Sequence, residues 1–167
     1  MTSRPLIVLL LLTLTACEPE DDTRVPDAPP APAATDGVDD GVPAADAEEA
    51  SEVVHAFHRA LASGDSVAAL GMLHREAVIY EAGHAETLDE YRAGHLAADI
   101  RFATATERHV LDEQTLATEG TVLYLAETHT SGRLNDREID ARGVETVLLV
   151  RAPEGWRIRH VHWSSRS

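Results

Sequence analysis

The chain contains a histidine and an aspartate, His95 and Asp99, at a spacing that places two chemically useful side chains together. Residues four apart on a helix are neighbours on its surface, and the residues around this pair have helical spacing. The pair could supply two metal ligands, or a general base and the carboxylate that orients it. The alternative is an exposed pair that stabilises the helix by about 0.2–0.5 kcal/mol.

A second pair, His160 and His162, lies in the closing segment GWRIRHVHWSSRS. Alternate residues of a strand point to one face, which predicts that Ile158, His160 and His162 share a face, with about 7 Å between the histidines. The two imidazoles could then bind one ion where the strand bends. In the alternative, one histidine packs in the core and the other faces solvent or a partner subunit.

These two pairs form the predicted metal site: His95, Asp99, His160 and His162. Histidine and carboxylate ligands suit Zn(II) or Cu(II), whereas the near absence of methionine disfavours a thioether site for Cu(I). If no metal binds, no cofactor is expected.

Further polar residues are candidates for contact with a small ligand. Glu81 follows an apolar segment and has the parity of Ile79, so its carboxylate could be a ligand or a base with a raised pKa. The candidate ligand-binding residues are Glu81, Tyr91, His95, Glu127 and His129. The candidate catalytic residues, if the protein is an enzyme, are His95, Asp99 and Tyr91. The remaining histidines are expected at the surface or the edge of the core: His55, His58, His74, His84 and His109.

The elements that must position these residues follow from the apolar pattern. Helical spacing begins near residue 47 and ends at Gly64, and a short second helix follows. Residues 77–81 read as a strand, and a capping box at residues 87–90 opens a third helix. The later segments 106–111, 116–130, 138–150 and 156–163 have strand character, and residues 133–136 form a hairpin connection. Three helices followed by antiparallel strands predict an α+β fold.

The first 16 residues have the pattern of a secretory signal peptide. Their apolar run is too short to span a bilayer, and it ends at LTAC, which resembles the lipobox of bacterial lipoproteins. Cys17 is the only cysteine, so it is predicted to carry a lipid that anchors the protein to a membrane. Glu18 favours the outer membrane, facing the periplasm. The alternative is an ordinary signal peptide with an incidental cysteine.

Residues 17–46 are predicted to form a disordered acidic linker, with residues 47–167 as one folded domain. Six of the eight prolines lie in this linker, which has few large apolar residues. The chain carries a net charge of −15, and its basic residues are all arginines without a basic stripe, which argues against nucleic-acid binding.

The order of elements and four sequence segments resemble the nuclear transport factor 2-like superfamily in its SnoaL-like branch. The segments are ALASGD, AVIYEAG, TLDEYRAGHLAADI and GWRIRHVHWSSR, and the resemblance covers about residues 47–166. A similar Trp-x-x-x-His-x-His-x-Ser ending occurs in the association domain of calcium/calmodulin-dependent protein kinase II. The resemblance implies a cone-shaped, bent antiparallel sheet around the helices, a pocket at its open end and homodimers through the sheet.

The resemblance leaves function open, because this fold hosts isomerases, dehydratases, hydrolases and non-catalytic binders. The sequence favours an envelope-anchored module that binds a small ligand or a divalent metal. One alternative is a cofactor-independent acid–base enzyme of the isomerase or dehydratase type, with His95 as base, Asp99 as its orienting group and Tyr91 or Tyr80 as acid. Another is a dimeric scaffold with His160 and His162 in the dimer face.

Overall fold

The computed structural model describes residues 44–166, which form four helices and six strands. The elements are α1 (Ala44–Ser63), α2 (Ser66–Met72), β1 (Leu73–Glu81), β2 (His84–Thr87), α3 (Leu88–Ala93), α4 (Leu96–Ala105), β3 (Thr106–Thr118), β4 (Thr121–Leu134), β5 (Arg137–Ala152) and β6 (Gly155–Arg166). The predicted signal peptide, Cys17 and the linker up to residue 43 lie outside the described residues. Within residues 44–166, no helix is both long enough and apolar enough to cross a membrane.

The six strands form one sheet in the order β2-β1-β6-β5-β4-β3. Neighbouring strands run antiparallel except for β1 and β6, which run parallel. The predicted α+β class is therefore confirmed, with a mixed sheet in place of a wholly antiparallel one. The parallel pair is possible because α3, α4 and three long strands separate β1 from β6 along the chain.

The core lies between α1 and the inner face of the sheet. Ala50, Val54, Phe57 and Leu61 follow each other at helical spacing, and each is at most 3% exposed. They face buried residues of the central strands, which include Tyr124, Val147, Leu149, Ile158 and Val161. Burial of each large apolar side chain contributes about 1.5–3 kcal/mol, so this layer holds α1 against the sheet.

The predicted third helix is divided into α3 and α4. The capping box at its start is present, since Thr87 accepts a hydrogen bond from the Glu90 backbone and the Glu90 carboxylate accepts one from Thr87. α3 ends at Ala93 with Gly94 as its C-cap, and α4 begins at Leu96. A glycine weakens a helix by about 1 kcal/mol relative to alanine, and here the helix stops at it. His95 therefore lies at the break as the N-cap of α4, one turn before Asp99 but no longer on a helix continuous with Tyr91.

A β-bulge in β6 changes which of its side chains face the core. Leu148 pairs with His160 and Leu149 pairs with Ile158, so Arg159 is an extra residue in β6. Ile158 is buried, but after the bulge Val161 takes the inner position. The prediction that Ile158, His160 and His162 share a face is wrong, because one extra residue reverses the alternation of the strand.

Candidate active-site cavity

A cavity of about 890 Å³ lies between α1, α4 and the inner face of the sheet. Its volume is in the range of pockets that bind small organic molecules. Apolar side chains form part of its wall, among them Leu61, Phe102, Ala103, Leu134 and Val144. The polar lining divides into two groups, one around Asp99 and one around Glu145.

Asp99 on α4 lines the cavity and accepts a hydrogen bond from a buried tyrosine on α3. The Tyr91 hydroxyl donates to Asp99 Oδ2 at 2.8 Å, and Tyr91 is fully buried. Burial raises the pKa of Asp99 to about 6, although the hydrogen bond from Tyr91 opposes the rise. Burial and the Asp99 charge both raise the pKa of Tyr91, so this hydroxyl keeps its proton and acts as a donor.

A second carboxyl group, Glu81, lines the cavity at the end of β1. Burial raises the pKa of Glu81, and the nearby Glu86 adds to the rise while His95 opposes it. The negative charge of Glu81 also raises the pKa of Asp99. The charge of Glu81 therefore makes ionisation of Asp99 less favourable.

Glu145 on β5 is the centre of the second polar group and is only 4% exposed. It accepts hydrogen bonds from His58 Nε2 at 2.7 Å, from Arg108 Nη2 at 2.6 Å and from Trp163 Nε1 at 2.5 Å. Burial opposes ionisation of Glu145, but His58 and Arg108 more than offset it and hold its pKa at about 2. The carboxylate is therefore charged, and it fixes three side chains that line the cavity.

The His95 and Asp99 side chains bond to different partners, although the Asp99 N–H donates to the His95 carbonyl at 2.9 Å and the two residues lie one helical turn apart. His95 Nδ1 lies 2.5 Å from Glu86 Oε2, and the His95 side chain is 51% exposed. The hydrogen bond to Glu86 raises the pKa of His95. Asp99 is hydrogen-bonded to Tyr91 and His95 to Glu86, so the predicted His95–Asp99 dyad is not formed.

The bulge in β6 places His160 and His162 against Tyr80, away from the cavity lining. Their rings lie 4.8 and 6.3 Å from the Tyr80 ring, centroid to centroid. Tyr80 is 45% exposed, and His160 Nδ1 donates to the Val78 carbonyl at 3.1 Å. Burial lowers the pKa of His160. The structure therefore does not bring these histidines to Asp99.

Glu127 and His129 also lie outside the cavity lining. Glu127 is exposed, and His129 Nε2 lies 2.8 Å from Asp140 Oδ1, whereas the alternate residues Thr128 and Thr130 line the cavity. Of the predicted site residues, the structure brings together Glu81, Tyr91 and Asp99. In residues 44–166, no group of three or more His, Cys, Asp or Glu side chains is arranged to hold a metal ion.

Sequence reasoning missed the group around Glu145, although two signals pointed to it. Glu145 has the parity of Val147 and Leu149, which are core residues of the same strand. His58 follows Val54 by four residues, which places it beside the core face of α1. A charged residue at a core position requires a partner, and that requirement was the available signal.

The sequence and the structure are similar to those of known proteins. The family profile of the SnoaL-like domain matches residues 50–166. A proposed ketosteroid isomerase from Shewanella frigidimarina is 31% identical, with 70% of this chain and 94% of that chain covered and a TM-score of 0.67. No curated protein matches the sequence.

Two more distant solved structures share the fold. A proposed dehydratase of the NTF2-like family from Streptomyces avermitilis is 16% identical, with 75% of this chain and 99% of that chain covered and a TM-score of 0.67. The CaMKII hub of S. rosetta is 23% identical, with 75% and 100% covered and a TM-score of 0.65. These likenesses confirm the predicted nuclear transport factor 2-like fold.

Proposed function

The chain belongs to the SnoaL-like domain family, and we propose that its cavity binds a small organic molecule and transfers a proton with Asp99 as the general base. The reaction class is a cofactor-independent isomerisation or dehydration that begins when Asp99 takes a proton from a carbon next to a carbonyl group. In an isomerisation the proton returns to another carbon of the resulting enolate. In a dehydration the enolate expels a hydroxyl group, which leaves as water with that proton. The observation that carries the proposal is the Asp99 carboxyl group, which lines the cavity with its pKa raised to about 6. A base is most effective when its pKa is near the working pH.

Tyr91 supports this role because it determines how the carboxylate is oriented. Its hydroxyl donates a hydrogen bond to Asp99 Oδ2, and no hydrogen bond to Asp99 Oδ1 is found in residues 44–166. Oδ1 is therefore the oxygen that would accept the proton. Tyr91 is a positioning residue, because it is fully buried and acts through Asp99.

The surroundings of Asp99 support an organic ligand. The apolar side chains of Phe102, Ala103 and Leu61 line the same cavity and reduce the access of water to the carboxylate. The charge of the neighbouring Glu81 raises the pKa of Asp99, which favours the protonated state that Asp99 reaches when it takes a proton from the substrate. The likeness to a proposed ketosteroid isomerase supports the same reaction class.

Proton exchange from carbon tests the proposal without knowledge of the natural substrate. The purified protein is incubated in D₂O with 2-oxobutanoate, butanone or androst-5-ene-3,17-dione, and loss of the C–H signal next to the carbonyl is followed by NMR. We expect exchange with at least one compound and a loss of about 10²–10⁴-fold in Asp99→Asn. The matched control is Asp89→Asn, an exposed aspartate on α3, which should exchange as the wild type does. Exchange that survives in Asp99→Asn contradicts the assignment of the base.

A further inference from the structure

Arg108 on β3 is held in the cavity wall by one edge of its guanidinium group. Its Nη2 donates to Glu145 Oε2 at 2.6 Å, and the Arg108 side chain is 23% exposed and lines the cavity. A guanidinium group carries five N–H donors in a planar fork, and one contact to Glu145 leaves the others to be satisfied. Arginine with one edge fixed in this way is well suited to bind a carboxylate with the other edge.

His58 is positioned by the same carboxylate and lines the same part of the cavity. Its Nε2 donates to Glu145 Oε1, and its side chain is 17% exposed. Glu145 therefore orients the ring of His58 as well as the guanidinium group of Arg108, and both side chains face the cavity.

The sheet register places Glu145, which holds Arg108 and His58, at a distance from Glu81 that a small molecule can span. Trp163 pairs with Glu81 on one side and with Glu145 on the other. Two strand spacings separate Glu81 from Glu145, which corresponds to about 10 Å between their backbones. The negative charges of Glu81 and Asp99 would repel an anion from their end of the cavity, which orients an anionic ligand with its charge toward Arg108.

We infer that Arg108, with His58 beside it, forms the subsite for a carboxylate group of the ligand, and that the substrate is a small organic acid. This inference rests on the proposed function and specifies its substrate class. The carboxylate binds at Arg108, and the carbon that loses its proton lies toward Asp99. Glu145 is a positioning residue for both donors.

The test compares ligands that differ only in charge. Binding of 3-phenylpropanoate and 3-phenylpropanamide to the wild-type protein is measured by calorimetry and by ligand-observed NMR. We expect the carboxylate to bind about 10- to 100-fold more tightly than the amide, the advantage expected for hydrogen bonds to a charged group. Equal binding of the two compounds, or failure of both to bind, contradicts the proposed subsite, and this result needs only the wild-type protein.

Variants then test whether Arg108 is the source of the preference for the carboxylate over the amide. Arg108→Gln should remove the preference for the carboxylate, while Arg101→Gln, which removes an exposed arginine of α4 outside the cavity lining, should keep it. If Arg108→Gln does not fold, Arg108→Lys takes its place because it keeps a positive charge near Glu145. Arg108→Lys should lose most of the preference for the carboxylate, because an ammonium group lacks the planar fork of a guanidinium group. A preference that is unchanged in Arg108→Lys and Arg108→Gln contradicts the inference.

The exchange assay separates failure of the subsite from failure of the proposed function. Exchange that depends on Asp99, combined with equal binding of acid and amide, leaves the base in place and removes the subsite. Carboxylate binding that depends on Arg108, combined with no exchange from any compound, supports the subsite and contradicts the proposed reaction.

Discussion

The Tyr91 hydroxyl lies 2.8 Å from Asp99 Oδ2, although the two residues belong to different helices. The contact spans the break at Gly94, where α3 ends and the chain leaves helical geometry before α4 begins. His95 lies at the same break, outside the cavity lining, and is hydrogen-bonded to Glu86. The hydrogen-bond partner of the candidate base is therefore a tyrosine and not the histidine four residues away.

The rate of proton exchange should depend on pH through Asp99. The base must be ionised, so the rate should rise with pH and level off above about 6, the pKa of Asp99. Tyr91→Phe removes a hydrogen bond that lowers this pKa, and the midpoint should move to higher pH. The measurement is the exchange rate between pH 4 and 9 in both proteins. A midpoint that is identical in the two proteins contradicts the role of Tyr91.

Asp99→Asn should stabilise the folded protein at neutral pH. The pKa of Asp99 is about 6 in the folded state and 3.8 as its ordinary value, so the fold loses stability as the pH rises from about 4 to 6, by about 3 kcal/mol in all. Asparagine has no charge and can still accept the hydrogen bond from Tyr91. Chemical denaturation at pH 7 should give a gain of about 1–3 kcal/mol, and the gain should vanish near pH 4. Asp89→Asn, which changes an exposed aspartate, should show no such gain.

Glu145→Gln should destabilise the protein at neutral pH by about 3 kcal/mol, because it leaves Arg108 and His58 without their buried counter-charge. The folded pKa of Glu145, about 2, is below its ordinary value of 4.5, so this stabilisation is present above pH 4.5 and is lost as the pH falls toward 2. Denaturation curves of wild type and variant should therefore converge at low pH. The control is Glu138→Gln, an exposed residue of the same strand. A stability difference that persists at pH 2 would contradict the charge-based explanation.

Cys17→Ser tests the predicted lipid anchor, which depends on the sequence pattern at residues 14–17. The wild-type protein expressed in a bacterium should partition into the detergent phase and carry the mass of a lipidated N-terminus. The serine variant should move to the aqueous phase, because serine offers no thiol for the lipid. Detergent partitioning that is unchanged in the variant would contradict the prediction.

The local features of the fold could be predicted from the sequence because short-range spacing determines them. The apolar positions of α1, the capping box at Thr87 and the hairpin after β4 all follow from neighbouring residues. Asn135 and Asp136 form that turn with positive φ values of 47° and 63°, which both residue types tolerate. The division of the long predicted segment 116–130 at Gly120 was missed, since its strand-forming residues outweigh one glycine.

The candidate site could be predicted only in part because its contacts join distant parts of the chain. Glu81, Tyr91 and Asp99 carry local signals of burial and helical spacing. The bond between His58 and Glu145 spans 87 positions, so no short pattern reports it. The bulge at Arg159 is set by pairing with β5, and it reverses the face of every later residue in β6.

The last prediction follows from that bulge and concerns the double variant His160→Ala/His162→Ala. These side chains lie beside Tyr80, away from the cavity lining, so their removal should leave binding of 3-phenylpropanoate and the Asp99-dependent exchange unchanged. In a Zn(II) titration by calorimetry, we expect no binding that depends on both the two histidines and Asp99. The bulge places the histidines beside Tyr80, whereas Asp99 lines the cavity. Submicromolar Zn(II) binding that is lost in both the double variant and Asp99→Asn would contradict the placement of β6 and restore a metal site between helix and strand.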